Sequence, residues 1–184
     1  MFFLRALQSF WMQTLMEELP NKKVVIKQQN LRSLDDLKLV SIALEHILIS
    51  PDNRAYALIE GDDKDIAVPL NPYEGSMLSF VFKGLYKNSH IQTIHQMYSK
   101  HLKDQAIQIE SIYIESKVGD ILYASIHFVD KKHRRYYVIC SLVDALIMSI
   151  LNKIALNAVK DTWDKIDSFD DWNYEEYIVD WSPE

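Results

Sequence analysis

The densest run of cations in this 184-residue chain is Lys131, Lys132, His133, Arg134 and Arg135, followed at once by Tyr136 and Tyr137. At a loop tip such a run can grip phosphates while phenol rings stack on bases. The same run equally suits a turn that only needs solvation. Carboxylates stand out where helices should begin, with Glu74 in Asn71-Pro72-Tyr73-Glu74 and Asp144 in Ser141-x-x-Asp144. At the third helical position a carboxylate caps backbone N–H groups and meets the positive end of the helix dipole. His46, His90, His101 and His127 are scattered without ligand spacing, and no HExxH motif occurs. Cys140 is the only cysteine, which excludes an internal disulfide and any multi-thiolate metal site and fits a reducing, cytoplasmic setting. It reads as a small buried side chain at a strand end, because nothing in sequence identifies a base to activate it.

Scarce glycine removes another class of chemistry. The four glycines at 61, 75, 84 and 119 are too far apart for a dinucleotide turn or a P-loop, both of which bring backbone close to phosphate. Any phosphate chemistry must rest on side chains. The net charge of −6 argues against a nucleic-acid partner only until it is located. Residues 160–184 hold nine acids against two lysines, a net of −7, so residues 1–159 are close to neutral. The acidity is local, and the body is free to meet a polyanion.

The elements that must position these groups are legible as an α+β pattern, an antiparallel or mixed sheet with helices packed on it. Residues 1–20 have Leu4, Leu7, Trp11 and Leu15 at helical spacing, predicting an N-terminal amphipathic helix, with a polar linker to residue 38. From Leu39, alternation predicts three strands: 39–49 with a phase slip before Ile47, 55–59, and 66–70. Asn71 to Gly84 reads as a capped helix, and Ser89-x-x-Gln92 opens a second with the stripe Ile91, Ile94, Tyr98, Leu102 and with His95 beside it. Ile107, Ile109, Ile112 and Ile114 form a strand whose phase slip predicts a bulge. Strands around 122–128 and 136–139 follow, then an apolar helix from Ser141 to about residue 158. The order suggests a duplicated βββα unit over residues 39–159. No run is apolar enough to span a membrane, since Asp144 interrupts the best one. The tail, residues 160–184, mixes its acids with Trp163, Phe169, Trp172, Tyr174, Tyr177 and Trp181. Rings at that density point to packing on its own body, on a sister subunit or on a protein partner.

Residues 39–166 resemble the bifunctional nuclease domain family of bacteria and plants. The likeness runs through LVSIALEHILISPDNRAYALIEGDDKDIAVPL, NPYEGSMLSFVFKGL, YASIHF and SLVDALIMSIL, in order and at matching spacing. His95 stands at a family histidine, followed by Gln96 where the family has Asp. Asp144 and Ala145 match a second motif, while Ile139, Ser141 and Leu142 replace its acid, Arg and Pro. The resemblance implies an α+β domain, a homo-oligomer, and hydrolysis of DNA and RNA with a divalent metal such as Mg as helper. It singles out Glu74, His95 and Asp144 as the catalytic set, with Glu74 and Asp144 as oxygen ligands and His95 as ligand or general base. Lys131, Lys132, Arg134 and Arg135 would then hold the nucleic acid. The competing expectation is a non-catalytic oligomeric scaffold that binds a protein partner through the N-terminal helix or the acidic tail.

Overall fold

The computed structural model describes residues 38–90 and 92–169 together with the backbone of 178–179. The expected N-terminal helix and the tail beyond Phe169 otherwise lie outside the described residues. Strands β1 (Leu39–Ile49), β2 (Ala55–Gly61) and β3 (Asp65–Leu70) form an antiparallel meander. The predicted slip in β1 is a register shift between Leu44 and His46. That extra residue returns Ile47 to the core already entered by Val40 and Ile42.

Helix α1 (Pro72–Phe82) starts as its sequence demands. Asn71 Oδ1 accepts from the Glu74 backbone N–H at 2.9 Å, Glu74 Oε2 accepts from the Asn71 N–H at 2.9 Å, and Pro72 occupies the first helical position. After a single 3-10 turn (Leu85–Lys87) comes helix α2 (Ile94–Asp104). Its cap is Thr93 with Gln96, four residues later than the expected Ser89 start, because Thr93-x-x-Gln96 offers the same reciprocal bonds and closes them. The predicted stripe is only partly a core face. Leu102 is buried in the core, whereas Ile94 and Tyr98 are exposed, since α2 bonds to α3 through His95 and Ser99 instead.

Strands β4 (Gln108–Val118), β5 (Ile121–Val129) and β6 (Arg135–Ser141) form the second meander, with the expected slip between Ile109 and Ser111. Helix α3 (Leu142–Asn152) is shorter than its apolar run predicts. Lys153 turns left-handed at φ 56°, and Leu156–Val159 becomes strand β7. The alternation of buried Leu156 and Ala158 suits a strand, and a vacant place in the sheet accepts their backbone. β7 lies antiparallel to β1 and parallel to β4, giving the order β3-β2-β1-β7-β4-β5-β6, with β8 (Ile178–Val179) pairing the far end of β1. The two βββα runs therefore flank β7.

The main core fills the space between the sheet and helices α1, α2 and α3, with Ile42, Ile59, Ile112, Ile126, Leu78 and Leu146 at its centre. Beyond β7, helix α4 (Lys160–Trp163) carries Trp163 fully into that core. Phe169 is buried separately with Leu48 and Leu58. The first ten residues of the expected acidic tail are thus part of the body. Among the described residues no helix is long and apolar enough to cross a membrane.

Candidate functional site

Helix α3 begins where β6 ends, so Ser141 is both the last strand residue and the helix cap. Its Oγ accepts from the Asp144 backbone N–H at 3.1 Å and donates to Asp144 Oδ2 at 2.8 Å. Asp144 is one methylene shorter than the glutamate of a full capping box; its carboxylate is held by the Ser141 hydroxyl first and by the Ser141 backbone only weakly. Oδ1 is left for a partner from outside the helix. Helix α2 supplies it: His95 Nε2 stands 2.8 Å from Asp144 Oδ1. An ionised carboxylate only accepts, so the imidazole carries its proton on Nε2. The His95 bond, opposed by partial burial and aided by Ser141, holds the Asp144 carboxyl below the usual carboxylate range.

The two members of the pair differ in access. The His95 side chain is 14% exposed and its buried Nδ1 has no hydrogen-bond partner among the described residues, while the Asp144 side chain is 49% exposed. Asp144 is therefore open to solvent, while His95 lies largely shielded behind it. Glu74 is not part of this pair. Its carboxylate completes the cap of α1, and no hydrogen bond or ion pair joins it to His95 or Asp144. Among the described residues no three His, Cys, Asp or Glu side chains assemble to hold a metal ion. With both Asp144 oxygens engaged and Glu74 elsewhere, this donor set does not fit an ion held by the protein alone.

The basic run occupies the turn between β5 and β6. Asp130 organises it by accepting from the backbone N–H groups of Lys132 and Arg134 and pairing with the Arg134 guanidinium at 2.7 Å. Those donors, the Arg134 backbone N–H foremost, hold the Asp130 carboxyl low. Arg135 pairs with Glu110 at 2.6 Å, and all five residues from 131 to 135 are exposed. Tyr136 stacks on Phe128 and Tyr137 on His127, so each ring keeps one open face. The turn and the Asp144 pair sit at opposite ends of β6. Six steps of ~3.3 Å place them roughly 20 Å apart within one chain.

A second polar cluster, unrecognised in the sequence, lies on the opposite face of β4 and β5. Ser125 Oγ donates to Glu115 Oε1 at 2.6 Å, which spends its one proton, so His127 Nε2–H donates to Ser125 Oγ at 3.0 Å. His127, then Ser125, hold the Glu115 carboxyl low against the opposing effect of burial. Glu115 meets the same His127 nitrogen as the serine, at 3.5 Å, and Ser125 is fully buried. A nucleophilic triad needs the acid on the other ring nitrogen and an accessible hydroxyl, so this cluster is a buried tie between two strands. The period-2 spacing of Ser125 and His127 was the available signal. Cys140 is half-buried, and burial with the nearby Asp144 pushes its thiol up to about 12.

The fold is thus an α+β sheet of two meanders joined by β7, with an Asp–His pair at one helix start. No protein-family model matches the chain, and no curated protein matches it either.

Proposed function

We propose that the chain is a divergent bifunctional-nuclease-like protein that hydrolyses phosphodiester bonds of DNA or RNA at the start of α3. The observation that carries this reading is the 2.8 Å contact between His95 and Asp144, made by residues from separate helices, with the carboxylate ionised and half open to solvent. Asp144 orients the attacking water toward phosphorus, His95 fixes the carboxylate, and the turn at Lys131, Lys132, Arg134 and Arg135 holds the polyanion. Glu74 stays outside the reaction as a helix cap. The test is cleavage of single-stranded and duplex DNA and RNA by the full chain, with Mg²⁺ and with chelator. Asp144→Asn should lower the rate by roughly 10²-fold or more, His95→Gln should lower it less, and Glu74→Gln should not change it. Cleavage undiminished in Asp144→Asn overturns the reading.

A second reading is favoured by a separate observation, the saturation of the pair. Ser141, His95 and Asp144 already satisfy one another, as a structural tie between α2 and α3 would. On that reading the chain is a non-catalytic oligomer that binds a partner, Asp144→Asn lowers stability alone, and the wild type cleaves neither polymer.

A further inference from the structure

Among the described residues, the second meander ends in an edge that no strand covers. β6 closes the strand order, so among the described residues its outer backbone N–H and C=O groups face no strand. Along it Tyr136, Tyr137, Val138 and Ile139 are 40%, 42%, 47% and 60% exposed. The opposite edge, β3, carries Pro69, which cannot extend a ladder; β6 has no proline, and its one charged residue, Arg135, lies at its end. Helix α2 adds to the same margin. Ile94, Met97 and Tyr98 are 67%, 50% and 43% exposed, and Tyr98 stands close enough to Tyr136 for their phenols to interact. At ~200 Å² for a large side chain, these residues leave roughly 700 Å² of apolar surface open, against ~800 Å² per partner in a standard interface.

We infer that the β6 edge and the outer face of α2 form a two-fold interface with a second copy of this chain. Three observations favour a copy over another occupant. The seven-residue strand pairs fully with itself when it runs antiparallel about Val138, setting Arg135 opposite Ser141 and Tyr136 opposite Cys140. A two-fold axis normal to the sheet keeps both helix layers on one face, so the two α2 helices meet over the joined strands. The ends of β6 are also complementary in charge: at one a turn of four lysines and arginines, two of them paired with Asp130 and Glu110, and at the other ionised Asp144. Antiparallel pairing superposes those unlike ends twice. It carries the basic turn of the second copy to the Asp144 pair, closing the ~20 Å gap that separates them within a chain. Each site then takes its carboxylate from one copy and its phosphate-binding cations from the other. The interface does not depend on hydrolysis; the shared site rests on the hydrolase reading above.

The test uses the full chain in sedimentation and light scattering. The wild type should have twice the chain mass at tens of micromolar, and Ile139→Lys and Met97→Glu, both at open positions, should weaken association at least roughly tenfold with unchanged circular dichroism. Val138→Cys in a Cys140→Ser background should cross-link between chains under mild oxidation. A wild type that remains monomeric at ~100 μM overturns the interface, as does a dimer indifferent to both substitutions. Slow hydrogen exchange along β6 in a monomer does so too, by showing the edge covered from within the chain. A dimer that fails to cross-link overturns the register and the shared site. Mixing Asp144→Asn with Arg135→Ser chains should restore cleavage that neither has alone. If no chain cleaves while the dimer forms and cross-links, the hydrolase reading fails and the interface stands.

Discussion

Gly61→Ala should destabilise the fold through a single collision. Gly61 ends β2 under the Trp163 indole, and a Cβ built there lies 2.4 Å from Trp163 Cζ2 and 3.0 Å from Cε2. Carbon atoms rest at ~3.5 Å or more, so the ring must retreat by about 1 Å. It has little room, being fully buried in the main core and held by its Nε1–H donating to Asp63 Oδ1 at 2.8 Å. Overpacking a core costs about 1–3 kcal/mol, and a rigid indole belongs near the upper end. Replacing glycine within a strand returns about 0.5–1 kcal/mol through the unfolded chain. The net loss is about 2 kcal/mol, or a fall in Tm of roughly 4–8 °C for a unit of this size. Urea unfolding followed by circular dichroism measures it. In a Trp163→Leu background the same substitution should cost nothing or stabilise by up to about 1 kcal/mol. An equal cost of Gly61→Ala in both backgrounds refutes the collision, because the penalty would then not involve the ring.

Other perturbations read the polar ties. Asp144 and Glu115 titrate below their ordinary values in the folded chain, so their stabilisation is complete above about pH 4.5 and is lost as the pH falls through the lowered values. Urea midpoints at pH 7, 4 and 3 should therefore drop steeply, and less steeply in Asp144→Asn and Glu115→Gln; parallel curves contradict the assignment. Cys140, with its thiol pushed up to about 12, should react with iodoacetamide at pH 8 far more slowly in the native chain than in urea, and equal rates would show an open thiolate. Asp144→Glu should allow a full capping box with Ser141 and leave stability within about 0.5 kcal/mol, while ¹⁵N spectra show His95 Nε2 losing its partner; an unshifted His95 signal refutes this.

Local rules carried most of the fold. The Asn71 box, the Ser141 cap and the bulges in β1 and β4 each depend on a few adjacent residues, and each appears where spacing placed it. The failures needed long-range knowledge. Residues 154–158 continue an apolar run that helix and strand accommodate equally, and only the vacancy between β1 and β4 selects the strand. Thr93 displaced Ser89 because two equivalent capping patterns lie four residues apart, and sequence does not rank them. Ile94 looked like core because periodicity reports an apolar face without saying what covers it. At the site, Asp144 and His95 were legible as chemistry-bearing groups, but their approach across 49 residues was not. Glu74 was grouped with them through the family resemblance, which does not reveal that its carboxylate is used at its own helix cap.

The contrast between Glu74 and Asp144 explains why one helix start, not both, carries an Asp–His pair. Each carboxylate occupies the third position of a helix that follows the last strand of a meander, so the two runs present equivalent positions to the same dipole. The glutamate is long enough to reach its own cap backbone and is consumed there. The aspartate reaches its cap backbone only weakly, binds the cap hydroxyl with one oxygen and offers the other to a neighbour. Helix α2 breaks the equivalence by lying against α3 and delivering His95 to that remaining oxygen. On α2, which starts at the Thr93 cap, His95, Ser99 and Leu102 are spaced four and three apart and share one face: His95 and Ser99 bond to α3 and Leu102 enters the core. The candidate site thus arises where an approximate repeat is broken, by one methylene in a side chain and by a helix that packs against only one of the two starts.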